Sequence, residues 1–148
     1  MPRSKTGSVK LTGTVVIPLA SPDDASTTAR AAVPYLDSAD RVVLTYVVEK
    51  GGGAPDKASV EQMEDYAEKV FDAAREKLQD VDAKVETRVI YGTSISDTVF
   101  DLCDEVGASS VALVPRESNR LFNLLVGDRV RPFIQDNHIP VVVFPSDD

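Results

Sequence analysis

At 148 residues the chain fits one domain, long enough to bury roughly two-thirds of the surface it would expose unfolded, without staples. Cys103 is the only cysteine, which excludes an internal disulfide or a cysteine-based zinc site; no apolar run nears the ~20 residues of a membrane span and the amino terminus has no signal-like apolar stretch, so a cytoplasmic protein without membrane insertion is expected. Twenty-four acidic against sixteen basic residues give a net charge of −8, which disfavours nucleic acid and anionic membrane as partners, and Asp outnumbers Glu two to one, a bias resembling proteins of salt-accumulating cells (a halophile).

Residues 1–8 carry Arg3 and Lys5 with no acid and few apolar groups, and are expected to form a flexible arm before a domain spanning 9–148. Gly13-Thr14-Val15-Val16-Ile17 is a short apolar run suited to a buried strand. Ser21, Pro22 and two aspartates then start a helix: a hydroxyl cap, a ring that presets φ, and negative charge at the positive end of the dipole. Ala25, Ala29, Ala32, Val33 and Leu36 repeat at helical spacing until Pro34 should kink or end the helix. A second, almost continuously apolar strand covers 41–48.

Gly51-Gly52-Gly53-Ala54-Pro55 lacks the Gly-Lys-Ser/Thr ending of a phosphate loop and reads as a linker. Ser59 with Gln62 has the spacing of a capping box, opening a long helix whose stripe is Val60, Met63, Ala67, Val70, Ala74 and Leu78. Residues 83–91 alternate in part, as a strand near a sheet edge does. A third helix carries Ile95, Val99, Leu102, Cys103 and Val106 on one face and stops at Gly107, which places Cys103 in the core. Strand four is 111–114, Asp128 can cap a short helix with Val130, Phe133 and Ile134, and 139–144 closes the chain as a buried strand. Five strands alternating with four helices specify an α/β fold: a single-domain, doubly wound, Rossmann-like, mainly parallel sheet with helices on both faces.

Residues 85–114, VETRVIYGTSISDTVFDLCDEVGASSVALV, resemble the third strand, glycine turn, third helix and fourth strand of the universal stress protein family. From Leu124, LLVGDRVRPFIQDNHIPVVVF is similar to that family's closing helix and strand, and the VVIPLAS opening and LTYVVE second strand complete the order. The resemblance implies a nucleotide crevice at Leu19, Ala20, Val48 and the loop after strand four. Nucleotide-binding members have there glycine, two residues, glycine, nine residues, then glycine followed by Ser or Thr. This chain has Pro115-Arg116-Glu117-Ser118, eight residues, then Gly127-Asp128. A phosphate cradle needs free backbone N–H groups, glycine at close approach and no anion. Pro115 removes a donor, Ser118 adds a side chain, and Asp128 puts a carboxylate where a hydroxyl would meet phosphate. Losing two charged hydrogen bonds weakens binding by about 3–6 kcal/mol, against about 8 kcal/mol for micromolar affinity. The family's aspartate just after strand one is also missing from Pro18-Leu19-Ala20-Ser21.

ATP with magnesium is therefore disfavoured, and no cofactor or metal is expected. Against that, Arg116, Arg120, Arg129 and Arg131 gather near the same crevice and could bind an anion bidentately. His138 is the only histidine, and no nucleophile–base set is placed by a motif, so an enzyme is not expected. The resemblance implies a stress-response or regulatory protein acting through protein contacts, with an adenine-nucleotide or anion-binding module, or a soluble regulator of a membrane transporter, as alternatives. Val141, Val142 and Val143 form an apolar strand through which a homodimer is expected to pair, by similarity to family dimers.

Overall fold

The computed structural model describes residues 11–49, 57–114 and 139–144. Strands and helices alternate along them: β1 (Gly13–Leu19), α1 (Pro22–Ala32), β2 (Ala39–Glu49), α2 (Lys57–Lys77), β3 (Lys84–Gly92), α3 (Ile95–Val106), β4 (Ser110–Leu113) and β5 (Val141–Val143). Val15, Val16 and Ile17 are fully buried at the centre of β1, as β-branched residues on a strand covered from both sides should be.

α1 starts as its residues dictate. The Asp24 N–H donates to the Ser21 hydroxyl at 3.1 Å, and Pro22, Asp23 and Asp24 fill the first turn. It ends at Ala32 because Pro34 has no N–H to return to the preceding turn, and the chain tightens into a 3-10 turn over Val33–Tyr35. The start of α2 corrects the sequence expectation: the helix already runs through Lys57 and Ala58, so Ser59 lies inside its first turn and is not the cap. Lys and Ala are good helix formers, and nothing in either breaks the ladder before Ser59. Phe71, 1% exposed, joins the buried face of α2 beside Ala67, Val70 and Ala74.

At the end of α3, Gly107 takes φ 67°, and the N–H groups of Gly107 and Ala108 turn back to the Cys103 carbonyl. Arg41 of β2 reaches the same helix end, donating to the Val106 carbonyl at 2.6 Å and pairing with Glu86 at 3.6 Å, so its positive charge meets the negative end of the dipole.

The sheet order is β3-β2-β1-β4-β5, and every pairing is parallel. From β1 the chain steps outward to β2 and β3, then crosses to β4 on the far side of β1. If all crossovers keep one hand, the helices of the outward run and the crossing helix must cover opposite faces. They do: α1 and α2 bury Val15, Ile17, Val42 and Leu44, while α3 buries Val16, Val43, Val111 and Leu113. β3 forms one edge, as its alternation predicts, and β5 the other. β5 is pinned at its end by Phe144, which donates its N–H to the Leu113 carbonyl at 2.8 Å and stacks on Tyr35 at 5.2 Å. The terminal arm, the triple glycine and the expected fourth helix lie outside the described residues. Among the described residues no helix is long and apolar enough to cross a membrane.

Candidate functional site at the strand switch point

In an open parallel sheet, ligands bind outside the carboxyl ends of neighbouring strands whose connections leave in opposite directions. β1 and β4 are that pair: β1 leads to β2 on one side and β4 to β5 on the other. Of the residues singled out in the sequence, Leu19 ends β1 and is buried in the core under α1 and α2, so main chain is what it can offer a ligand. Ala20, the next residue, is half-buried on the α3 side. Val48 lies one residue before the end of β2 and is buried. Pro115, Arg116, Arg120, Gly127 and Asp128, with Arg129 and Arg131, fall outside the described residues.

The feature that organises the described part of this crevice is Asp24. It is 5% exposed and turns inward from the first turn of α1. Its Oδ2 accepts the Ala20 N–H at 2.9 Å, and its Oδ1 accepts the Thr28 hydroxyl at 3.3 Å. The first main-chain donor past β1 is therefore already committed. The helix start, whose dipole would otherwise favour a bound anion, carries a buried carboxylate of its own. An anion brought to this helix start would meet the Asp24 carboxylate and one main-chain donor fewer. In the sequence Asp24 by itself signals only a charge favoured by the helix dipole. The signal for its inward turn was present, because Asp24 and Thr28 are four apart and lie beside Ala25, Ala29 and Ala32 on the buried face.

Elsewhere, burial, and after it the neighbouring Asp104, pushes the Cys103 thiol up to about 12, far from the thiolate a nucleophile needs. Among the described residues no group of three or more His, Cys, Asp or Glu side chains is arranged to hold a metal ion.

The fold defines a doubly wound α/β domain with an open switch point between β1 and β4. No protein-family profile and no curated protein matches the chain by sequence. Solved structures do match by shape. Universal stress protein UspA from Lactobacillus plantarum superposes with a TM-score of 0.60 at 18% identity, over 93% of this chain and 99% of that one. A universal stress protein in complex with cAMP gives 0.61 at 15% identity, over 91% and 98%. The universal stress protein from Archaeoglobus fulgidus in complex with dAMP gives 0.57 at 20% identity, over 90% and 98%. The chain has the fold of the universal stress proteins.

Proposed function

We propose that this chain is a non-enzymatic regulatory protein of the universal stress protein type, acting through protein contacts and not through bound ATP. The observation that supports this most is the Asp24 carboxylate on the Ala20 N–H, which takes a donor and adds negative charge at the carboxyl end of β1, on one side of the switch-point crevice. Pro115 and Asp128 depart from the phosphate cradle in the same direction. The partners would be a second copy of the chain and at least one other protein. Val141 and Val142 are half-buried and Val143 is 45% exposed on the edge strand β5, an apolar edge that pairing with a second copy would cover.

A second reading, a module for adenine nucleotides or another anion, is favoured by the two structural relatives solved with cAMP and dAMP and by Arg116, Arg120, Arg129 and Arg131. Thermal unfolding with magnesium and ATP separates the two. A ligand at 1,000 times its Kd stabilises by about 4.1 kcal/mol, whereas one at its Kd adds only about 0.4 kcal/mol. The favoured reading expects a shift of no more than about 4 °C at about 1 mM ATP. A shift of many degrees that disappears in an Arg116→Ala, Arg120→Ala double variant establishes the second reading instead.

A further inference from the structure

Among the described residues no strand pairs with the outer edge of β3, and that edge is guarded along only part of its length. Sheet edges are blunted against strand addition by charged side chains, and Lys84, Glu86 and Arg88 supply them at alternate positions in the first half of β3. Beyond Arg88 the strand continues as Val89-Ile90-Tyr91-Gly92 with no charge at all, and Tyr91 is 36% exposed. An open groove of about 580 Å³ begins at that same point, between the edge and α3. α3 lines it with Asp97, Asp101 and Glu105, spaced four residues apart and so stacked along one helix face. Glu105 is neutralised by Arg88 at 2.8 Å, while no described cation pairs with Asp97 or Asp101. The groove thus places an unguarded stretch of strand edge beside two carboxylates that no described cation neutralises.

We infer that this groove is a docking site for an extended, basic segment of a partner protein, which adds as a further strand along residues 89–92. The β-period fixes the chemistry of the occupant. Successive side chains of an added strand point to opposite faces of the sheet, so Lys or Arg at every second position would face Asp97 and Asp101 while the intervening residues lie on the Tyr91 face. An acidic or neutral strand gains no such pairing, and repulsion from the two carboxylates turns the acidic one away. On the far side of the sheet Tyr91 is itself held in place, its hydroxyl donating to Glu64 at 3.1 Å, so the surface that would receive the intervening residues is preformed. This surface rests on the protein-contact reading above and gives it a location and a partner chemistry.

The test titrates the full ¹⁵N-labelled chain with two synthetic ten-residue peptides, one alternating Thr and Lys and the other Thr and Glu. The Thr-Lys peptide is expected to shift the amides of residues 89–92 and of α3 saturably, with cross-strand contacts from peptide to β3 backbone, and the Thr-Glu peptide to shift none. An Asp97→Asn, Asp101→Asn variant changes only exposed side chains and should keep the fold while weakening Thr-Lys binding at least about threefold. Shifts scattered over the acidic face of α2, cross-strand contacts absent, affinity unchanged in the variant, or β3 edge amides already protected from hydrogen exchange in the free protein would each overturn the docking site. Saturable binding mapped elsewhere on the domain would also remove this groove while leaving the protein-contact reading intact.

Discussion

The carboxylate of Asp24 and the main-chain N–H of Ala20 meet at 2.9 Å, closing the turn from the central strand into α1 with a buried charge. Hydrogen bonds to charged groups contribute about 1.5–3 kcal/mol, and breaking this one leaves a buried donor unmet. Asp24→Ala is therefore expected to lower unfolding free energy by about 2–3 kcal/mol and Asp24→Asn, which keeps an acceptor oxygen, by less. Urea unfolding of the three proteins checks it, and equal midpoints would mean the contact does not hold the turn.

Gly107 gives a cleaner backbone test. It sits at φ 67° with nothing within 4 Å of where a Cβ would stand, so a side chain there costs conformation and no clash. Gly107→Ala should cost about 1–2 kcal/mol, and Gly107→Asn less, since Asn tolerates the left-handed region. Chemical denaturation should show a lower midpoint with an unchanged m-value.

Gly92 is the opposite case, because an added Cβ would strike the Thr98 hydroxyl, which is held by its bond to the Ser94 carbonyl at 2.6 Å. Gly92→Ala should destabilise by about 1–3 kcal/mol, as overpacking does. Combined with Thr98→Ala, the loss should be smaller than the sum of the two single losses. Additive losses in the double-mutant cycle would show that the close approach is not what requires glycine.

Cys103 carries a pH signature. Its thiol lies at 9.0 in ordinary surroundings and is pushed up to about 12 in the fold, first by burial. As pH rises past 9 the unfolded chain loses this proton before the folded one, so stability is unaffected below 9 and falls between 9 and about 12. Unfolding midpoints at about pH 8 and about pH 10.5 should therefore differ more in the native chain than in Cys103→Ala, the contributions of Tyr46 and Tyr91 being common to both. The same pH dependence in both proteins would contradict the burial argument.

Most of the fold was legible because its signals are local. The Val15-Val16-Ile17 run, the Ser21-Pro22 start, the Pro34 stop and the Gly107 end each follow from one residue's chemistry, and all occur where expected. The alternation of 83–91 correctly placed β3 at an edge, since a strand packed by helices on both faces and flanked on both sides would be apolar throughout. The start of α2 was misplaced because Ser59 and Gln62 satisfy a capping pattern that helix-forming neighbours override. The role of Asp24 was missed for a different reason: which way a first-turn carboxylate points depends on the turn that precedes it, and that is tertiary information. Arg41 on the Val106 carbonyl, 65 positions away in the chain, left no trace in local pattern for the same reason.

The central claim, that this crevice does not hold triphosphate, is tested most directly by calorimetric titration of the full chain with ATP and magnesium. The expected result is a Kd no tighter than about 0.2 mM, the affinity that a loss of about 3 kcal/mol leaves from the micromolar range. One-to-one binding with a Kd near micromolar would contradict it.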